Sequence, residues 1–309
     1  MLDPARGFNP DSCLQPAEYI EQAYLFDLLC QRSLEATPMQ ELLDQLQHEL
    51  LSTTRLPMAV QFMLTELRHT GMMSPAMQRL SHYFAPFQTF LIAEAESERG
   101  RFSMSIALQI LHFDAKLRSH HAQSLISEPQ DLDMLQHSQC GMFFFQFETL
   151  CRNRLGYDAG LTAMSRDAIF NGPWHDWLLN LRANVGLIDL ADLLFLASEE
   201  YVRRLEQSKT GQSASGPILF GEKEGRIAFA NRQKDPLYLF GAMQRHLGYP
   251  PVPRLVVDDE DRDTIPKLLR RIERLETRVK IMEQESKESF DLSKFYKQAD
   301  MPTLPDNDP

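Results

Sequence analysis

Five polar side chains at the end of the most apolar segment of this sequence could bind an anion. They are Glu148, Arg152, Arg154, Tyr157 and Asp158. Arginine forms paired hydrogen bonds with carboxylates and phosphates, so Arg152 or Arg154 could hold an anionic ligand. The same arginines could instead pair with neighbouring acids, because a charge close to a core has to be compensated. We therefore interpret these residues as an internal network that locks the helix end, and a candidate anion pocket at Arg152 or Arg154 is the alternative.

Glu66 and His69 form a second pattern that could do chemistry, a Glu-x-x-His on a predicted helix. Helical bundles with paired metal ions use this spacing because side chains at i and i+3 point toward the same ion. Such a centre also needs a second Glu-x-x-His and two further glutamates, and this sequence has no second one. We therefore interpret the pair as an exposed polar face near a helix end, and a metal site there is the alternative.

Histidine and cysteine are concentrated in one further region. Its candidate ligands are His112, Asp114, His120, His121, His137 and Cys140. No two of them have the tight spacing of a structural zinc site, so they are interpreted as polar residues of loops and helix ends. Cys151, on the predicted central helix, is interpreted as a small apolar residue. No metal, cofactor or catalytic residue is predicted.

The segment from Gly216 to Gly221 has the two glycines of a phosphate-binding loop at the required distance. Glu222 occupies the position where the essential lysine would follow Gly221, and no strand is predicted before the segment. Nucleotide binding is therefore not expected.

The candidate anion pocket is positioned by the apolar stretch that begins at Gly141. Phe143, Phe147, Leu150 and Arg154 share one helix face, and further apolar residues widen that face. A helix that is apolar around so much of its circumference is expected to lie at the centre of the fold. Gly156 is expected to end this helix in the left-handed conformation.

Apolar residues at helical spacing recur along most of the chain, and strand-like alternation is essentially absent. The sequence therefore predicts an all-α protein with a multi-helix globular body. Residues 122–139 are interpreted as a surface connection, because they are polar and contain Pro129. Asp235, Pro236 and Gly248 mark the cap, first turn and end of one clear helix. The predicted segments are a disordered N-terminus (1–16), the helical body (17–207), a flexible loop (208–217), a small helical appendix with a proline-rich end (218–254), an acidic lead-in and coiled-coil helix (255–296), and a disordered tail (297–309).

The last predicted helix carries a heptad pattern typical of a short coiled coil. Its seam residues are Ile265, Leu268, Ile272, Leu275, Val279 and Met282. Branched residues at a and leucine at d favour a parallel dimer, and Arg271 and Arg278 at g match glutamates at e of the partner helix. Leu269 widens the apolar stripe, so docking of this helix on its own protein is the open alternative. Residues 264–280 contain six basic and two acidic side chains, and the adjacent acidic run is expected to compensate them.

Composition excludes several functional classes. The chain has 309 residues, 43% of them hydrophobic, which is sufficient for a core without disulfides. A net charge of −11 disfavours nucleic acid and anionic lipid as partners. Four dispersed cysteines indicate a reducing compartment. The N-terminal residues do not form a secretory signal, and no apolar run is long enough to span a bilayer, so we expect a cytoplasmic protein.

Two blocks resemble an uncharacterised family of helical proteins from planctomycete-type bacteria. The blocks are residues 147–161 (FETLCRNRLGYDAGL) and 219–225 (LFGEKEG), and the resemblance extends from about Glu18 to Tyr296. It implies no enzyme activity and no catalytic residues. It implies only a bacterial cytoplasmic protein that ends in a coiled coil.

Taken together, these patterns predict a non-enzymatic cytoplasmic protein that forms a homodimer, or binds a protein partner, through its C-terminal helix. The alternative is a helical enzyme or ligand-binding protein, with an anion pocket at Arg152 and Arg154 or a metal site at Glu66 and His69.

Overall fold

A computed structural model describes residues 13–33, 37–97, 102–127, 132–207, 216–254 and 279. Apart from two isolated β-bridges, the regular structure of these residues is helical, which confirms the predicted all-α class for the described part of the chain. The helices are α1 (Pro16–Ser33), α2 (Met39–Leu46), α3 (Leu56–Thr70), α4 (Ser74–Arg79), α5 (Pro86–Glu96), α6 (Met104–Ser127), α7 (Leu132–Arg152), α8 (Tyr157–Ser165), α9 (Pro173–Asn184), α10 (Leu190–Leu196), α11 (Glu199–Gln207), α12 (Glu222–Ala230) and α13 (Pro236–Leu247). A 3-10 turn, Ala168–Phe170, precedes α9.

Helix α7 lies at the centre of the body, as its apolar composition predicts. Phe143, Phe144 and Phe145 are consecutive and all fully buried, so the helix is covered on every side along this part. Helix α6 packs along α1 and also against α7, and α13 packs on α7 as well. The helix that holds the candidate anion residues is therefore also the one around which the core forms.

An aromatic cluster joins α7 to elements on both sides of it. The ring of Phe143 lies 5.6 Å from that of Trp174 and 5.1 Å from that of Trp177, between centroids. Phe220 lies 5.2 Å from Trp174 and 5.3 Å from Trp177, so it closes the cluster. Phe220 is held by backbone pairing, because Glu199 N donates to its carbonyl at 3.0 Å. This pairing fixes the chain immediately before α12.

Arg118 of α6 is the centre of a second buried group, called here the arginine cluster. Its guanidinium donates two hydrogen bonds to Asp167 and one to Asp114, although its side chain is only 1% exposed. Gln146 of α7 donates to the second oxygen of Asp114 at 2.9 Å, and Ile169 N donates to Asp167 at 3.2 Å. The arginine cluster thus ties α6 and α7 to the 3-10 turn.

His121 lies one turn beyond Arg118 and is also buried. His121 Nδ1 lies 2.6 Å from Ser138 Oγ, and Ser138 Oγ lies 2.9 Å from the Leu135 carbonyl; a proton on Nδ1 satisfies both contacts, since the hydroxyl can then donate to the carbonyl. Nε2 has no hydrogen-bond partner among the described residues. Burial, with a smaller contribution from the charge of Arg118, lowers the pKa of His121 to about 4.

The prediction that residues 122–139 form a surface connection is wrong. Helix α6 extends to Ser127 and α7 begins at Leu132, so most of this stretch is helical. The described residues of α7 in this stretch, 133–139, are exposed or half-buried, and polarity alone does not interrupt a helix. As a consequence, His137 and Cys140 are on the first half of α7 and not on a loop.

The predicted end of α7 at a left-handed Gly156 is also wrong. Gly156 has φ −65° and precedes α8, whereas the left-handed residue is Arg154, with φ 53°. Two other end signals are confirmed. Asp235 caps α13 by accepting from Leu237 N at 2.9 Å, and Gly248 ends that helix with φ 69°.

Contacts divide the chain into Met1–Leu255 and Val256–Pro309. Helices α12 and α13 belong to the first unit, where they pack on α7, α10 and α11. The coiled-coil seam lies outside the described residues except for Val279, which is helical and exposed. The predicted termini and flexible loop lie largely outside them too. Within the described helices, none combines the length and apolar character needed to cross a bilayer.

Candidate metal centre

A cleft of about 510 Å³ opens between the first half of α7 and the helices α11, α12 and α13. Two imidazoles and a carboxylate converge in it. The ligand atoms of His137, Glu224 and His246 all lie within 4.8 Å of one another. Among the described residues, these three form the one such group of histidine, cysteine or acidic side chains. Their spacing is short enough for one metal ion to contact all three.

The two histidines and Glu224 differ in burial and are already in contact. Glu224 is 8% exposed, His246 is half-buried and His137 faces solvent. His246 Nε2 lies 2.7 Å from Glu224 Oε1. The rings of His137 and His246 are 5.8 Å apart and nearly perpendicular. The carboxylate is thus held at the inner end of the cleft, and an imidazole at its mouth.

Each donor is placed by a different helix. His137 is on α7, where the neighbouring Gln136 donates to the Leu219 carbonyl at 2.9 Å. Glu224 is in the first turn of α12, and His246 is in the last turn of α13. The three donors therefore meet only when α12 and α13 are packed on α7.

Close packing at Gly225 sets the position of Glu224. A Cβ at residue 225 would lie 2.3 Å from Ser198 Oγ and 2.7 Å from the Glu200 Cβ. Only glycine allows α12 to approach the segment before α11 this closely. Glu200 is itself buried and accepts from Arg204 at 2.7 Å, so the surface behind Glu224 is fixed by an ion pair.

The cleft is acidic and includes a thiol. Asp133, Glu199 and Glu222 line it together with Glu224, and Lys223 adds one positive charge. Cys140 lies in its wall, and burial, together with the charge of Glu224, raises the pKa of the Cys140 thiol well above its usual range. Glu222 is already paired with Arg203 and Arg226, so the excess of negative charge in the cleft comes from Asp133, Glu199 and Glu224. Such an excess favours a bound cation.

Two imidazole nitrogens and one carboxylate oxygen are a donor set suited to a divalent transition metal. Zinc accepts this combination in tetrahedral sites, and non-haem iron accepts it with open positions for further ligands. Magnesium and calcium prefer oxygen donors and waters, so two histidines disfavour them. The cleft gives such a metal access to solvent on one side.

The residues of the predicted anion pocket are only partly brought together. Glu148 is buried and forms an ion pair with Arg152, and it accepts from the Tyr249 hydroxyl at 2.7 Å. Arg154 is exposed, and Asp158 is an exposed partner of Arg182 at 3.6 Å. The geometry thus resembles the internal network that the sequence favours over an anion pocket.

Tyr157, the remaining member of that set, faces a different cavity. It lines a crevice of about 290 Å³ together with Phe147, Cys151 and Phe240. The walls of this crevice are mainly apolar side chains from α7, α9, α10 and α13. Neither Arg152 nor Arg154 is among its lining residues.

Glu66 and His69, the alternative metal pair, do not meet further ligands in the described part of the chain. The Glu66 carboxylate accepts from Arg79 Nη1 at 2.6 Å, and His69 is exposed. The sequence analysis considered His137 and Cys140 as candidate ligands but declined them, and it missed Glu224 and His246. No local pattern marks those two, because their partner His137 lies far away in the sequence.

Comparisons with known proteins add no assignment. A scan against protein-family models returns no match, and searches of curated proteins and of solved structures return none either.

Proposed function

We propose that this protein binds one divalent transition-metal ion, zinc in the first place, in the cleft between α7, α12 and α13. The observation that carries the proposal is the convergence of His137, Glu224 and His246 within 4.8 Å. These residues come from three separate helices, and the acidic walls of the cleft favour a cation. Neutral imidazole and carboxylate together satisfy the preference of zinc for mixed nitrogen and oxygen donors.

Zinc titration by calorimetry tests this proposal. Chelator-treated protein is expected to bind one equivalent, and His246→Ala or Glu224→Gln is expected to weaken binding by more than the roughly 10–100-fold that loss of an outer-sphere partner costs. His82→Ala is the matched control, because His82 is exposed and outside the cleft. Equal affinity in the wild type and in both cleft variants would place any bound zinc elsewhere and reject the proposal.

A second role, self-association, is supported by the heptad pattern of residues 265–282. We propose that this seam pairs two copies, or a copy and a protein partner, and that the protein is cytoplasmic and non-enzymatic. Replacement of both Leu268 and Leu275 by lysine should convert a dimer into a folded monomer, because two charges would then face each other across the seam. Sedimentation measures the mass, and a wild-type monomer would favour the docking alternative.

The other predicted sites remain hypotheses of lower rank than the cleft. An anion at Arg152 would have to compete with Glu148, and a metal at Glu66 would have to displace Arg79. The bacterial family resemblance likewise remains a hypothesis and adds no activity to either role.

A further inference from the structure

We propose that Cys140 is the fourth protein ligand of the metal, so that the centre is a closed site of two histidines, one glutamate and one cysteine. This inference rests on the proposed metal binding at His137, Glu224 and His246 and deepens it. A fourth protein donor would make the ion structural, since a catalytic ion keeps a position for water or substrate.

Cys140 lies close to His137 on the same helix. The two residues are three apart on α7, so their side chains are neighbours on one face of the helix. Both line the same cleft, as do Glu224 and His246. Cys140 is buried and His137 is exposed, so the pair spans the cleft from its inner wall to its mouth.

The Cys140 thiol makes only a weak hydrogen bond. Cys140 Sγ donates to the Leu219 carbonyl at 3.6 Å, and a thiol is a weak donor. The sulfur lies outside the 4.8 Å group, so ligation requires the side chain to turn away from Leu219. The turn that the proposal requires is a change of the single side-chain torsion of cysteine from one staggered position to another. The Leu219 carbonyl keeps a donor after the turn, because Gln136 Nε2 also bonds to it at 2.9 Å.

The chemistry is ligand exchange without oxidation or reduction. The sulfur donates an electron pair to the metal, the S–H bond breaks, and the proton leaves to buffer as the thiolate forms. A thiolate adds soft character to the donor set, which favours zinc over manganese and magnesium. The ion would then fasten α12 and α13 to α7 through four side chains.

Cobalt substitution tests the inference. A thiolate bound to Co²⁺ produces a charge-transfer band in the near ultraviolet, and nitrogen or carboxylate ligands do not. The wild type and Cys30→Ser, which alters another buried thiol that does not line the cleft, are expected to show the band. Cys140→Ser is expected to retain Co²⁺ more weakly, through His137, Glu224 and His246, and to lack the band.

X-ray absorption of the wild-type zinc complex supplies a measurement that needs no variant. A sulfur neighbour at about 2.3 Å, beyond nitrogen and oxygen neighbours at about 2.0–2.2 Å, is expected. Binding without sulfur in that shell, or a cobalt band that persists in Cys140→Ser, would overturn the role of Cys140 and leave the three-residue site standing. Failure of the wild type to bind either metal would instead reject the proposed function itself.

Discussion

Two groups of buried charged side chains lie against α7, and their carboxylates are compensated in different ways. The arginine cluster places one guanidinium between Asp114 and Asp167, and further donors from Gln146 and Ile169 N complete it. The metal cleft places Glu224 against His246, with no arginine or lysine among the pairs of Glu224 in the described part of the chain. The first group is closed, whereas the second opens into a cavity of about 510 Å³.

The two groups differ in the number of N–H hydrogen-bond donors that are available to their carboxylates. An arginine offers five N–H groups, so one side chain can satisfy two carboxylates inside the protein. A neutral imidazole offers one N–H and one lone pair, so two histidines beside a glutamate leave lone pairs without protons. Lone pairs that converge in this way are available to a cation that replaces the proton between His246 and Glu224, whereas those already met by a guanidinium are not. The arginine cluster is therefore expected to contribute stability, and the cleft is expected to bind the proposed metal.

Arg118→Met should produce the largest effect and should act on stability. It leaves Asp114 and Asp167 buried without their cation, and breaking a buried ion pair in this way costs about 3–5 kcal/mol. Urea denaturation followed by circular dichroism measures the loss. The triple change of Arg118→Met, Asp114→Leu and Asp167→Asn should recover part of it, because the uncompensated carboxylates are removed. A loss below about 1 kcal/mol for the single change would contradict the structural role.

Acid should destabilise the protein through His121, next to the arginine cluster. The pKa of His121 is about 4 in the folded chain against 6.5 in the unfolded one, so the folded state binds fewer protons between these values. The free energy of unfolding should therefore decrease as the pH falls from about 6.5 to about 4, by on the order of 3 kcal/mol in total. His121→Gln should have a flatter profile over this range in thermal denaturation measured in a series of buffers. An unchanged slope would show that other groups cause the acid sensitivity.

Zinc should stabilise the protein through the cleft. A ligand at 100 times its dissociation constant adds about 2.7 kcal/mol to the free energy of unfolding when only the folded state binds it. Glu224→Gln should lose this increment, whereas Glu66→Gln should keep it. The opposite pattern would favour the alternative metal pair at Glu66 and His69. Denaturation with and without zinc distinguishes the two outcomes.

Gly225→Ala should have a smaller effect that reaches the cleft indirectly. The added Cβ would meet Ser198 and the Glu200 Cβ, so α12 must shift, at a cost of about 1–3 kcal/mol. Because Glu224 is the preceding residue, zinc affinity should fall as well. Gly241→Ala is the control, since its Cβ would make only an ordinary contact with Arg245 at 3.6 Å. Equal zinc affinity in both variants would show that the position of α12 does not control the site.

Structural features that depend only on neighbouring residues were predicted correctly from the sequence. Asp235 and Gly248 mark the ends of α13 correctly, because a cap and a left-handed glycine act within one turn. The end of α7 was misplaced, because Arg154 takes the left-handed conformation although Gly156 is the intrinsically better candidate. A tertiary contact adjoins this position: Asn153 donates to the Pro253 carbonyl at 3.1 Å, a partner that no local pattern reveals.

The candidate metal site depends even more on contacts between residues that are distant in the sequence. His137 and Cys140 were considered because they belong to the region where histidine and cysteine are concentrated, although their spacing did not indicate a zinc site. Glu224 and His246 did not, because nothing in the sequence around them distinguishes them from ordinary surface residues. Their role depends on the packing of α12 and α13 against α7, and the aromatic contacts of Phe220 and Tyr249 bring that packing about. Such long-range contacts cannot be read from spacing.

The late position of Phe220 and Tyr249 in the chain has a consequence for synthesis on the ribosome. Phe144 is fully buried, and these two residues supply ring contacts to it, at 6.1 Å and 6.5 Å between centroids. A nascent chain that has emerged only as far as α11 already contains α7 but lacks both covering rings. Part of the apolar surface of α7 therefore remains exposed while the following residues are translated, and exposed apolar surface promotes aggregation. Translation speed through the codons that follow α11 should consequently affect the yield of folded protein.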